Sequence, residues 1–268
     1  MNKPKERIDL LLVRLGFFDT REMAKRVIMA GMVLVNEELI DKPGTKVPID
    51  VTVRLKSEMT RYVGRGGYKL EHALKKFDLD LTAKTIIDVG ASTGGFTDCA
   101  LQNGAQLVYA IDVGYNQLAW KLRQDDRVIC LERVNFRYMK RDELKHGIPT
   151  FACMDVSFIS IKLLLPVLKE MLADHGEIVA LIKPQFEAGR EFVNKGGIVK
   201  EAKVHLTVIK EMVKFIDELG LVLRGLTYSP IKGGSGNIEF LMHIGTTGNH
   251  QITKLQIEAV VKEAHQTL

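Results

Sequence analysis

The sequence predicts an α/β chain: a doubly wound, mostly parallel sheet with one antiparallel strand, preceded by a small N-terminal α+β domain. Three observations predict it. From Thr85 onward, apolar β-branched runs alternate with apolar residues at helical spacing, the order that lays helices over a parallel sheet. The last two runs, Leu221–Tyr228 and Ile238–Ile244, have no long helix between them, so the chain returns antiparallel there. Before residue 60 the pattern is different, with two short helical stretches followed by short alternating strands.

At 268 residues, 46% hydrophobic and 26% charged, the chain can bury a sizeable core without disulfides or a structural metal. Its three cysteines (Cys99, Cys130, Cys153) are widely spaced and odd in number. They suit neither a disulfide framework nor a zinc site, so no metal is expected and a reducing cytoplasm is the expected compartment. The apolar run near the N-terminus is too short for a signal peptide, and no stretch approaches the roughly 20 apolar residues of a membrane span. The net charge of +5 is uneven: residues 1–65 hold 13 Lys and Arg against 9 Asp and Glu, and the remainder 25 against 24. A basic module on a near-neutral body suits a polyanion-binding attachment, although such a balance also suits an ordinary solvated surface.

In the first module, Ile8, Leu11, Leu12 and Leu15 share one helical face. Asp19 and Thr20 are capping residues for a second helix, REMAKRVIMA, which Gly31 is placed to end. MVLVNEELI and VTVRLK read as strands, with DKPGTKV supplying turns. The stretch from Arg7 to Ile40, above all T-R-x-x-A-K-R (Thr20 to Arg26) and G-x-V-x-V-N (Gly31 to Asn36), resembles the S4-type RNA-binding domain. That resemblance implies an RNA partner and contacts from Arg7, Thr20, Arg21, Lys25, Arg26 and Asn36. Cations on one helix face beside a strand turn can follow the phosphates of structured RNA without reading bases. One departure is that Glu37 stands where that family commonly has glycine after the asparagine. The domain is expected over 1–58, followed by a polar, glycine-rich linker over 59–66, where Arg61 and Arg65 could extend the RNA track or be ordinary solvated charges.

The second domain, 67–268, opens with a helical pattern from Tyr68. Strands are expected at Thr85–Val89, Leu107–Asp112, Val128–Leu131, Phe151–Val156 and Glu177–Ile182, with a helix carrying Val204, Val208, Met212 and Ile216. ITKLQIEAVVKEAHQ is an amphipathic helix candidate near the end of the chain. Ligands of such sheets bind beyond the carboxyl ends of the strands, and there the loop DVGASTGGFTD follows the first strand. A dinucleotide fingerprint with Gly90 first would need glycine at position 92, where Ser92 stands, and no P-loop Gly-Lys-Ser/Thr follows. S-adenosylmethionine carries no phosphate and needs a backbone turn plus an acid for its ribose hydroxyls. Asp112, at the end of the next strand, supplies that acid. Alternatively, Gly94 and Gly95 serve only close packing of helix on strand.

Four polar residues sit where a strand-end site would collect them: Lys69 just before the first helix, Asp155 and Lys183 at the ends of apolar runs, and Glu239 in a late strand. Charges directly behind buried runs need partners. The region from Tyr62 to Ile244 resembles the FtsJ-like ribose 2′-O-methyltransferases, whose Lys-Asp-Lys-Glu tetrad falls on Lys69, Asp155, Lys183 and Glu239. VGRGGYKLEHAL, DVGASTGGFTD, DVGYNQLAW, MDVSFIS, KPQFE and SGNIEF, behind an S4-type module, look like the TlyA (haemolysin A) family.

That resemblance implies a Rossmann-like S-adenosylmethionine-dependent methyltransferase acting on cytidine 2′-hydroxyls of ribosomal RNA. The ends before Arg7 and beyond Ile244 resemble the longer form of the family, which modifies both 16S and 23S rRNA. It also implies a cofactor pocket lined by Asp88, Gly90, Ala91, Ser92, Thr93, Gly94, Gly95, Phe96, Asp112, Val113 and Asp155, with Asn135 at the adenine end. Lys183 is expected to be the base, with Lys69 as the neighbouring cation that favours its neutral form and orients the hydroxyl. Asp155 and Glu239 would fix the lysines and the cofactor. The competing expectations are a non-catalytic RNA-binding or assembly factor, a membrane-active haemolysin, and a dinucleotide-dependent oxidoreductase.

Overall fold

The computed structural model describes residues 4–18, 20–29, 31–55, 61–250 and 252–268. The chain divides into two compact units, Met1–Arg61 and Tyr62–Leu268. Asp19, expected beside Thr20 at a helix cap, lies outside the described residues, as do positions 59 and 60 of the expected linker.

The first unit contains β1 (Lys5–Arg7), α1 (Ile8–Arg14), α2 (Arg21–Met29), β2 (Val33–Val35), β3 (Glu38–Ile40), β4 (Lys46–Pro48) and β5 (Val53–Leu55). Ile8, Leu11 and Leu12 of α1 and Ala24 and Ile28 of α2 close over Val33, Val35 and Val47. Leu15 leaves this face because α1 ends at Arg14, and its side chain is exposed. The stretch DKPGTKV does more than turn: Lys46–Pro48 pairs antiparallel with Lys5–Arg7. The β2–β3 hairpin turns on Asn36 and Glu37, both with positive φ (49° and 67°), the backbone of a tight turn that usually selects glycine second.

Asp9 is fully buried in α1 and receives Arg7 Nε and Nη2 at 3.0 and 2.9 Å and Arg21 Nε at 2.9 Å. The Arg7 hydrogen bond, aided by Arg21, outweighs burial and holds this carboxyl at about 2. A depressed folded-state pKa gives stability that is full above the ordinary Asp range near 3.8 and is lost as pH falls through about 2. Because both arginines are partly exposed, the expected contribution is about 1–2 kcal/mol. Asp9→Asn should lower the thermal midpoint at pH 7 and flatten its decline between about pH 4 and 2. An unchanged acid limb in melts of the intact chain would count against this pairing.

The second unit runs α3 (Gly66–Phe77), β6 (Thr85–Val89), α4 (Gly95–Gln102), β7 (Leu107–Asp112), α5 (Trp120–Arg123), β8 (Val128–Glu132), β9 (Phe151–Met154), α6 (Leu165–Met171), β10 (Glu177–Ile182), α7 (Pro184–Glu187), α8 (Ala202–Glu218), β11 (Val222–Tyr228), β12 (Phe240–Gly245) and α9 (Lys254–Thr267). Seven strands lie in the order β11-β12-β10-β9-β6-β7-β8. Only β12 runs against its neighbours; the pairs β10–β9, β9–β6, β6–β7 and β7–β8 are parallel.

Strand residues alternate between faces. Ile86, Val108, Cys153 and Leu181 pack under α3 and α4, while Ile87, Ile111, Met154 and Ile182 pack under α6, α8 and α9. Cys99 and Cys153 are buried and Cys130 half-buried, none of them in a disulfide among the described residues. None of the described helices is long and apolar enough to cross a membrane.

Residues 62–66, expected to be linker, belong to this unit. Tyr62 is buried in its core, and Val63 N–H donates to Asp98 Oδ2 at 2.8 Å. Glycine here allows contact rather than flexibility: a Cβ on Gly67 would lie 2.2 Å from the Tyr62 ring.

Candidate active site at the carboxyl edge of the sheet

The order in which strands are added reverses beside β6, with β7 on one side and β9 on the other, so a crevice opens beyond their carboxyl ends. Gly90 turns the chain out of β6 with φ +84°, and a Cβ there would stand 2.7 Å from the Asp155 carbonyl oxygen. Ser92 continues the turn at φ +48° and donates its N–H to Asp112 Oδ2 at 2.7 Å, while Gly114 N–H donates to Asp112 Oδ1 at 2.7 Å. These bonds fix the Asp112 carboxylate and leave each oxygen further acceptor capacity.

A cavity of about 380 Å³ opens here. Gly90, Ser92, Asp112, Val113, Asn135 and Asp155, all expected, line it together with Ile111, Val134, Phe136 and Leu164. A second cavity of about 220 Å³ is lined by Gly66, Ala91, Thr93, Gly95, Phe96 and Lys183. Gly90, Ser92, Asp155 and Ser157 line both.

Two expected ligand residues line neither cavity. Asp88 is fully buried on the α4 side of β6, where its Oδ2 accepts the Thr97 hydroxyl at 2.6 Å. Strand alternation, not nearness to the loop, decides where it points. Burial, opposed in part by Thr97, pushes its carboxyl up to about 7. Gly94 meets a packing requirement: at φ +95°, a Cβ would overlap Leu122 Cδ1 at 2.2 Å. Gly95 serves both purposes, since its Cβ would come within 2.9 Å of Gly67 N.

Several contributing residues were not foreseen. Glu132 accepts the N–H groups of Asn116, Gln117 and Leu118 at 2.8, 2.9 and 3.3 Å and pairs with Arg123. Arg123 and those amides outweigh its desolvation and hold its carboxyl at about 2, so the loop that brings Gln117 to the cavity is anchored. Phe158 lines the larger cavity at φ +65° and is 90% exposed. Ser157 lies between it and Asp155.

The four polar residues converge. Lys69 is in the first turns of α3, not before it; Asp155 and Lys183 directly follow β9 and β10; Glu239 directly precedes β12. Because β12 is antiparallel, with Phe240 opposite Ile182, its start lies at the edge where β10 ends. Lys69 Nζ stands 2.7 Å from Glu239 Oε2 and 3.2 Å from Asp155 Oδ2. Lys183 Nζ lies 2.6 Å from Asp155 Oδ1 and donates to Ser157 Oγ at 2.8 Å. Burial opposes charge on Lys69, but Asp155 and Glu239 together outweigh it and raise its pKa above the ordinary lysine value. Two buried cations thus balance two carboxylates, the arrangement buried charge requires.

In the first unit, Arg7 and Arg21 spend part of their guanidinium groups on Asp9. Thr20 Oγ1 accepts the Met23 N–H at 3.3 Å, and Asn36 Oδ1 accepts the Thr52 N–H at 3.0 Å. Lys25 pairs with Glu22 at 3.1 Å, and Arg26 is exposed. Arg61 and Arg65 are exposed as well, Arg61 in the first unit and Arg65 ahead of α3 in the second.

The mostly parallel seven-stranded sheet is the fold of S-adenosylmethionine-dependent methyltransferases. The FtsJ-like methyltransferase model matches residues 62–246, and the S4 domain model matches residues 6–53. The chain is 54% identical to "Putative rRNA methyltransferase YqxC" of Bacillus subtilis (strain 168), over 100% of this chain and 97% of that one. It is 36% identical to "16S/23S rRNA (cytidine-2'-O)-methyltransferase TlyA" of Mycobacterium tuberculosis, over 97% of each. The solved structure "Putative hemolysin from Streptococcus thermophilus" superposes with a TM-score of 0.78 at 51% identity, covering 99% of this chain and 98% of that one. The chain belongs to the TlyA (haemolysin A) family, in which an S4 domain is joined to an FtsJ-like methyltransferase domain.

Proposed function

We propose that this protein methylates the 2′-hydroxyl of cytidine in ribosomal RNA, with S-adenosylmethionine as donor and rRNA of both subunits, 16S and 23S, as substrate. The observation that carries the proposal is the lysine–carboxylate cluster at the seam of the two cavities, where Asp155 stands between Lys69 and Lys183. The 16S/23S naming of the Mycobacterium tuberculosis relative, aligned over nearly the whole chain, supports the double substrate.

The residues of the larger cavity fit the donor. Asp112 is held in place with acceptor capacity to spare for vicinal hydroxyls. Ile111, Val134, Phe136 and Leu164 offer apolar walls to a purine, with Asn135 for polar contact. Gly90, Ala91, Ser92 and Thr93 supply the turn for the methionine portion. When bound, the donor supplies an electrophilic methyl group on a sulfonium.

A ribose hydroxyl is a weak nucleophile unless its proton is taken as it attacks. Of the two lysines, Lys69 is held cationic by two carboxylates. Lys183 faces one shared carboxylate and a neutral hydroxyl, so Lys183 is the base and Lys69 the fixed cation that orients the acceptor oxygen. Asp155 and Glu239 hold the amines in place. Positioning of this kind can supply much of the rate. Lys25, Arg26 and the outward sides of Arg7 and Arg21 would follow RNA phosphates, joined by Arg61 and Arg65. Thr20 and Asn36 support that face through the cap and turn they complete.

The test is transfer of tritium from methyl-labelled S-adenosylmethionine to purified ribosomal subunits from cells lacking the gene. Label is expected in the RNA of both subunits. Label in neither would overturn the proposal, and label in one alone would correct its breadth.

A further inference from the structure

Lys183 sits between two groups of different character. Asp155 Oδ1 lies 2.6 Å from its Nζ, an ion pair that draws the amine but does not by itself decide which of its three wells holds the lone pair. Among the described residues, the directional bond that Lys183 makes is to Ser157 Oγ, at 2.8 Å. Ser157 follows β9 by three residues and lines both cavities, as Gly90, Ser92 and Asp155 do. It therefore stands where the two cavities join, beside the lysine that lines the smaller one.

Resting on the methyltransferase function above, we propose that Ser157 is a positioning residue for Lys183, fixing the rotation of its amine so that the lone pair faces the acceptor hydroxyl. A neutral amine has two N–H groups and one lone pair at tetrahedral corners, and its terminal torsion has three staggered wells. Donation of one N–H to Ser157 Oγ removes a well that would aim the lone pair at the serine. Attraction of the other N–H toward Asp155 selects between the remaining two. The proton leaves the ribose O2′ for Lys183 Nζ as the O2′ electron pair forms the bond to the methyl carbon; the pair of the broken carbon–sulfur bond stays on sulfur. Ser157 neither gains nor loses a proton. A serine hydroxyl accepts and donates together, so while its oxygen holds Lys183 its hydrogen is available to an oxygen of the acceptor ribose.

The experiment compares wild type, Ser157→Ala and Ser157→Thr in steady-state methyl transfer to ribosomal subunits, with donor affinity measured by calorimetry and folding by thermal melts. Ser157→Ala should lower kcat about tenfold, as expected for loss of one hydrogen bond to a reacting group. KM for RNA and donor affinity should stay at wild-type values, and Ser157→Thr, which keeps the hydroxyl, should restore most of kcat. Wild-type kcat in Ser157→Ala would overturn the inference. So would parallel loss of donor affinity, or an equal defect in both variants, since each would mark Ser157 as a loop-shaping residue only. Failure of the wild-type protein itself to transfer methyl groups would instead overturn the function on which the inference rests.

Discussion

Lys183→Ala is expected to abolish methyl transfer, by a factor of about 10²–10⁴ or more in kcat, while leaving donor affinity near that of wild type. Lys183 lines the smaller cavity and does not line the larger one, which fits the donor. The fold should tolerate the change, because Asp155 keeps Lys69 at 3.2 Å and so remains a paired carboxylate. The same truncation at Lys69 is different in kind. It strands Glu239, only 2% exposed, without its cation, and breaking a buried pair in this way costs about 3–5 kcal/mol. Two lysines in one cluster should thus give one soluble, donor-binding, inactive variant and one poorly folded variant. Methyl transfer at a normal rate by Lys183→Ala would remove it as the base.

The second large effect falls on the cofactor turn. Gly90→Ala should nearly eliminate donor binding and lower stability by about 1–3 kcal/mol. Gly90 has φ +84°, and an added Cβ would meet the Asp155 carbonyl oxygen at 2.7 Å and Val156 Cγ1 at 3.0 Å. Neither neighbour is a flexible tip: one is backbone, and the other belongs to the segment that carries Asp155 and Ser157. Relief of the clash must push the ends of β6 and β9 apart, widening both cavities. Gly94→Ala offers the contrast, since its clash is with the side chains of Leu122 and Leu118. Comparable donor affinity in Gly90→Ala and wild type, measured by calorimetry, would show that the turn does not shape the pocket.

Much of this organisation was legible in the residues, for identifiable reasons. Strands covered on both faces read as continuous apolar runs, so Thr85–Val89, Leu107–Asp112 and Glu177–Ile182 carry their own boundaries. The antiparallel return brings Glu239 to the lysines, and the lack of a long helix between the last two runs betrayed it. What escaped depends on partners distant in sequence. The three-residue strand Lys46–Pro48 exists because it pairs with Lys5–Arg7, and nothing local distinguishes it from a turn. Gly64, Gly66 and Gly67 resembled a flexible junction but are close-packed, since a Cβ would meet Thr93 Oγ1 at 2.5 Å, the Phe96 ring at 3.3 Å and the Tyr62 ring at 2.2 Å respectively. Asp88, expected at the cofactor from the family resemblance, lies on the buried α4 face of its strand and lines neither cavity. Glu132 left a trace that could have been used: it ends the strand beside β7, in register with Asp112, where a second carboxylate calls for amide donors.

The central claim, ribose methylation by a lysine base, is tested most directly by nucleoside analysis. Ribosomal RNA from cells lacking the gene is incubated with donor and purified wild-type or Lys183→Ala protein, digested to nucleosides and resolved by mass spectrometry. The expected result is new 2′-O-methylcytidine with wild type and none with Lys183→Ala. Methyl label on the cytosine base, or undiminished 2′-O-methylcytidine from Lys183→Ala, would contradict it.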